Sequence, residues 1–160
     1  MYHLADILAR LCLVSVAATA NAYESPTARR AYYAEKSAPA SLICLEVAER
    51  ALDADLDPLE LIALSWVETR HTRQVISSAQ ARGPLQILRK YWRRKHDRDD
   101  IAGGLRAWSY YRARSSSAQE AAGRYNGGGS SSGYAIAYQA HLEKLRRAAD
   151  IFTAHRGGAR

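Results

Sequence analysis

Glu68 stands where a carboxyl group could do acid–base chemistry. It ends an apolar stretch, Leu59 to Glu68, in which Leu61, Ile62, Leu64, Trp66 and Val67 leave almost no polar face. The carbonyl end of a helix carries partial negative charge, and apolar neighbours remove the water that would solvate a carboxylate. Both effects raise a carboxyl pKa, which a general acid working near neutral pH requires. The competing reading is a glutamate that frays off the helix end into water or pairs with Arg70 or His71. Glu46, Glu49, Glu60 and Glu143 fall on faces that water can reach. The five histidines, at 3, 71, 96, 141 and 155, show no pair four residues apart and no cysteine or acid at ligand spacing. No metal and no cofactor is expected.

The elements that must hold Glu68 are helical. Asp57-Pro58-Leu59-Glu60 combines a capping side chain, a proline for the first helical position and a capping-box glutamate. The helix behind it is apolar nearly all round, which predicts a central, buried element. Upstream, residues 23–39 read as a weak helix or lead-in arm ending at Pro39. From Ala40 to Leu52 a helix is predicted by Leu42, Leu45, Ala48 and Leu52. Downstream, residues 71–83 form a polar connection, and Pro84 is expected to start a helix through Leu85, Leu88, Tyr91 and Trp92. Further helices are predicted over 101–114, from the Ser117–Glu120 capping box to Tyr125-Asn126, and through Tyr134, Tyr138, Leu142 and Leu145. No strand alternation persists, so the class is mainly α. Gly127 to Gly133 reads by composition as a flexible linker, and by its place after Tyr125-Asn126 as a loop at the edge of a groove.

The first 22 residues read as a secretory signal peptide. Arg10 precedes the apolar run Leu11 to Ala20, and Ala20-Asn21-Ala22 offers a small-x-small cleavage site. The run is about half of what a spanning helix needs, so no stable membrane anchor is expected. Asp6 is out of place in a signal, and the competing reading is an ordinary N-terminal helix packed on the domain. Cleavage would remove Cys12 and leave Cys44 as a lone, buried, unmodified thiol in the Leu42–Leu45 helix segment. The expected domain covers 23–160, exported to the periplasm or secreted. A chain of 160 residues with 48% hydrophobic and 24% charged residues fits one globular domain, and the net charge of +7 favours an anionic partner. Arg93-Arg94-Lys95 and Arg146-Arg147 come with no nucleic-acid-binding motif, so no nucleic acid is expected.

Four segments then add up. Ala63-Leu64-Ser65-Trp66-Val67-Glu68-Thr69-Arg70 resembles the Glu-Ser helix end of the soluble lytic transglycosylase and goose-type lysozyme family. Val75 to Gln86 resembles that family's Ser-x-x-Gly-Ala-x-Gly-Leu-Met-Gln, and Arg124-Tyr125-Asn126-Gly127-Gly128 its Ala-Tyr-Asn-Ala-Gly. Tyr138-Gln139-Ala140-His141-Leu142 resembles its Tyr-Val-x-Lys-Val. The order is kept across 57–145. Thr69 replaces the usual Ser, Pro84 a Leu and Gly129 a common Pro.

The resemblance implies a lysozyme-like single domain that cleaves the β-1,4 link between N-acetylmuramic acid and N-acetylglucosamine in peptidoglycan, leaving a 1,6-anhydro end. It implies Glu68 as the catalytic acid and base, with Thr69, Gln86, Tyr125, Asn126 and Tyr138 binding the sugar or supporting its groove. The partner is then the glycan strand. Two alternatives stay open. One is a hydrolytic lysozyme of the same fold, whose second acid could sit at Asp97–Asp100. The other is a wall-binding module of a secretion or viral-entry assembly with little turnover.

Overall fold

The structure, a computed structural model, describes residues 2–96 and 100–157. It is mainly α-helical: α1 (Tyr2–Asn21), α2 (Pro26–Glu35), α3 (Ser37–Asp53), α4 (Pro58–Thr69), α5 (Arg89–Trp92), α6 (Asp100–Arg112), α7 (Ala118–Tyr125) and α8 (Gly133–Gly157). Among the described residues only isolated β-bridges occur, at Ile76, Arg82 and Ile87.

Local chemistry sets the start of α4. The Leu59 N–H donates to Asp57 Oδ1 at 2.9 Å, and Pro58 occupies the first helical position, where no N–H is needed. Leu61, Ile62, Ala63, Leu64 and Ser65 are all fully buried, and α1, α3 and α8 pack around them. The helix is central, as its apolar circumference requires. Glu60 is a correction. It is 5% exposed, and its carboxylate accepts from Trp108 Nε1 at 3.2 Å and Arg112 Nε at 3.3 Å, with Arg146 at 3.8 Å. The enclosed 60–65 stretch of the helix has no wet side for Glu60, so the charge is met by arginines from α6 and α8.

Other boundaries shift for steric reasons. Pro39 lies in the first turn of α3 and does not end the preceding arm, since a first-turn proline forgoes no helical hydrogen bond. The buried face of α3 is Ala40, Cys44, Val47, Ala48 and Ala51, while Leu42 is 70% exposed. Pro84 starts no helix. Gly83 adopts φ +77° and Gln86 φ +45°, and the Arg82 and Ile87 backbones exchange hydrogen bonds at 3.0 Å, closing a tight turn over 82–87. The glycine run after α7 folds back on that helix. A Cβ at Gly123 would lie 2.4 Å from the Gly129 carbonyl oxygen, so only glycine admits the contact.

The N-terminal segment shows a double character. Leu4–Asn21 is long and apolar enough to cross a membrane, beyond the ten-residue run apparent in the sequence, and it is compatible with a signal sequence. In the fold it is also a packed helix, burying Leu8, Leu11, Cys12, Ser15, Val16 and Ala20 against α3, α4 and α8. Cys44 is no lone thiol. It forms a disulfide with Cys12, because packing α1 on the small-residue face of α3 brings the two Cα atoms to 5.7 Å. Polar side chains complete the docking. Ser15 Oγ lies 2.7 Å from His71 Nε2 and 2.8 Å from His141 Nε2, His71 Nδ1 lies 3.0 Å from Ser65 Oγ, and Trp66 Nε1 donates to Thr19 at 3.1 Å. Trp66 stacks on His141 with centroids 4.0 Å apart.

Two measurements test this packing. Reducing the Cys12–Cys44 bond, or Cys44→Ser, opens a crosslink spanning 32 residues and is expected to cost about 2–4 kcal/mol, read as a fall in Tm. Burial lowers the pKa of both His71 and His141 to about 3, so both are neutral in the fold. Unfolded, they take up protons below about pH 6.5. Their contribution to stability is therefore present above that pH and lost as pH falls toward 3, and melting curves between pH 7 and pH 4 should show the decline.

Candidate active site

The C-terminal end of α4 is built to hold a side chain out of the core. Arg70 (φ +54°) and His71 (φ +61°) adopt left-handed conformations that stop the helix one residue after Thr69. Thr69 Oγ1 donates toward the Pro84 carbonyl at 3.2 Å and accepts from the Thr72 N–H at 3.0 Å, tying the helix end to the 82–87 turn. From α7, the Tyr125 hydroxyl donates to the Leu85 carbonyl at 2.6 Å. The Gln86 amide donates to the Val75 and Gly83 carbonyls, both at 3.0 Å. The turn is thus held from three sides, and it forms one wall of a cavity of about 410 Å³.

That cavity brings together Glu68, Gln86, Tyr125 and Asn126, four residues separated by up to 58 positions in sequence. Ser77, Tyr91, Trp92 and Tyr111 line it as well. Among the described lining residues Glu68 is the only acid. Neither neighbouring base pairs with it. Arg70 lies over the Trp66 ring at 3.7 Å and donates to the Trp66 carbonyl, while His71 is occupied by Ser15 and Ser65. Glu68 instead accepts from the Tyr134 hydroxyl at 2.5 Å. Burial is the larger influence and pushes its carboxyl up to about 7, while the Tyr134 hydrogen bond works in the opposite direction. Tyr134 itself is held far above the ordinary phenol range by burial and by the neighbouring carboxylate, so it stays a donor. The two glutamates of α4 therefore differ in kind: buried Glu60 is matched by arginines, and half-buried Glu68 meets a neutral hydroxyl and a cavity.

No protein-family model, curated protein or solved structure matches the chain.

Two expected sugar-binding residues lie elsewhere. Thr69 does not line the Glu68 cavity; its hydroxyl is spent on the Pro84 carbonyl and the Thr72 N–H, so it positions the helix end. Tyr138 is fully buried, its ring 5.4 Å from Trp108 in the core. One helical turn earlier on the same face of α8, Tyr134 reaches the carboxyl that Tyr138 cannot. Sequence inspection missed Tyr134 as a site residue, although its i,i+4 spacing from Tyr138 was a usable signal. Tyr91, 67% exposed, Trp92 and Tyr111 were also read only as helix positions. Of the suspected second acids, Asp100 is engaged by Arg89 through two bonds of 2.6 Å, and Asp97 and Asp99 lie outside the described residues. Among the described residues no three His, Cys, Asp or Glu side chains gather as metal ligands.

Carboxyl titration by NMR of labelled glutamate tests the electrostatics. Glu68 is expected to titrate near pH 7, and Tyr134→Phe should move that midpoint to higher pH, because the lost hydrogen bond favours the charged form.

Proposed function

We propose that the chain is a peptidoglycan lytic transglycosylase of lysozyme-like fold, with Glu68 as its one acid–base group. The observation that carries this reading is the solitary carboxyl in an aromatic-walled groove, held by a tyrosine hydroxyl and with no basic partner among the described residues. An acid with a pKa near the working pH can both give and take a proton. Tyr91, Trp92 and Tyr111 offer the flat apolar faces and polar edges that suit a sugar ring. The +7 net charge suits an anionic wall polymer.

The chemistry balances with one carboxyl. Glu68 gives its proton to the bridging oxygen as the bond from the muramyl anomeric carbon breaks, and the N-acetylglucosamine unit leaves with a free 4-hydroxyl. The carboxylate then takes the proton of the muramyl 6-hydroxyl as that oxygen bonds to the same anomeric carbon. Glu68 returns to its starting state and no water is consumed. The nucleophile belongs to the substrate, which removes the need for the paired carboxylates of most glycosidases. A well-oriented intramolecular attack reaches effective molarities of about 10⁵ M or more. Gln86, Tyr125 and Asn126 shape the groove around this step.

Export to the periplasm or beyond belongs to the same proposal. It is supported by the Cys12–Cys44 disulfide, which persists in oxidising compartments and requires that the apolar N-terminal helix stay on the chain as an uncleaved segment.

Glu68→Gln is the test. It should slow lysis of purified sacculi by about 10²–10⁴-fold or more while leaving the fold intact. Because the raised carboxyl pKa makes wild-type stability fall as pH rises from about 4.5 through 7, the variant should gain most in Tm above pH 7. Mass spectrometry of the digest should find 1,6-anhydro ends. Reducing ends would instead identify a hydrolase, and undiminished lysis by folded Glu68→Gln would refute the assignment.

A further inference from the structure

The segment that walls the Glu68 groove has a second, basic face. Between the bridges joining Ile76, Arg82 and Ile87 the chain folds through two tight turns, with Gln80 at φ +64° and Gly83 at φ +77°, and its side chains divide between two cavities. Ser77, Ala79 and Ala81 face the groove, whereas Ile76 and Arg82 line a cavity of about 530 Å³ on the other side. A third cavity, about 400 Å³, lies between them; it shares Ala79 and Leu88 with the groove and Arg82 and Arg89 with the basic side. Lys90 lines it too.

The charges there are unequal. Arg89 is matched by Asp100 through two bonds of 2.6 Å. Arg82 and Lys90 have no carboxylate partner among the described residues, and Lys90 rests 4.6 Å from the centre of the Tyr91 ring at the groove. The Arg82 backbone is fixed by both 3.0 Å bonds to Ile87, so the guanidinium is presented from a stiff base. A concave site of a few hundred Å³ with two unmatched cations is suited to carboxylates, which arginine meets with two parallel hydrogen bonds.

We propose that the cavity at Arg82 and Lys90 is a subsite for the carboxylates of the peptide branch carried by the muramyl lactyl group of the strand in the groove. This rests on the transglycosylase reading of Glu68. The groove and the basic cavity share Ala79 and Leu88, so a lactyl branch that leaves a glycan on that side meets Arg82 and Lys90. The enzyme then prefers strands that still bear peptides over stripped ones.

The experiment compares two substrates, glycan strands with peptide branches and the same strands stripped by an amidase and then capped as the lactyl amide, so that the hydrolysis leaves no lactyl carboxylate. Wild type is expected to show a KM about tenfold lower on the peptide-bearing strands, the size of one charge-assisted hydrogen bond. In Arg82→Gln and in the Arg82→Gln, Lys90→Gln double variant the ratio of the two KM values should fall toward one, with kcat on peptide-bearing strands retained. Arg82→Lys should restore part of the ratio. Equal KM values in wild type, or variants that lose affinity for both strands alike, would overturn the subsite. Binding of both strands to Glu68→Gln protein separates the two ideas. Peptide-dependent binding without turnover by wild type refutes the transglycosylase reading alone, and equal binding of both strands refutes the subsite alone. Competition by a phosphodiester polymer but not by an acidic peptide would also overturn it.

Discussion

A carboxyl group at either end of a helix with a fully buried middle must be neutralised, hydrated or paired, and the rest of this structure is arranged around which of these applies. On α4 the two solutions occur eight residues apart. Glu60, at the start, sits within reach of Arg112 and Arg146 and is locked into the core. Glu68, at the end, has its neighbouring cation drawn away: Arg70 lies flat on Trp66. What remains is a hydroxyl from α8 and a groove. A charge held so has little solvation, which makes the proton easy to keep and, with the right partner, easy to return.

Keeping that end of α4 in place takes contributions from distant chain. The 82–87 turn is held by Thr69 from one helix, Tyr125 from another and the Gln86 amide from within. Each of these spends its polar group on a backbone carbonyl, so the residues nearest Glu68 act on geometry before they could act on a substrate. Arg82, Gly83 and Pro84 turn the segment over, which gives one short stretch an apolar face toward the groove and a basic face away from it.

The N-terminal helix carries a related lesson about apolar sequence. Leu4–Asn21 satisfies the length and composition of a membrane-crossing or signal segment, and it equally satisfies the face of α3 that presents Ala40, Cys44, Val47, Ala48 and Ala51. Hydrophobic burial is non-directional, so the same residues suit either environment. The directional groups discriminate. Ser15 bridges His71 and His141, Thr19 meets the Trp66 indole, and Cys12 meets Cys44. These contacts exist only when α1 is docked.

Local chemistry in the sequence was enough to mark the helical class, the central helix that runs to Glu68 and the caps at Asp57 and Ser117, because capping and apolar periodicity act over a few residues, whereas Glu68 was singled out from other glutamates only with the help of the motif resemblance. The gathering of Gln86, Tyr125 and Asn126 beside it was legible only through a resemblance of motifs, since nothing local links positions so far apart. Tertiary packing alone decided the remainder. Whether a glutamate is matched or bare depends on arginines from other helices, as Glu60 and Glu68 show. Whether a tyrosine meets the core or the site depends on one helical turn of α8, which separates Tyr138 from Tyr134. Whether a cysteine is free depends on what docks against it, and Cys44 had its partner 32 residues upstream. Side-chain partners across helices are chosen by three-dimensional distance, and sequence spacing carries no direct measure of it.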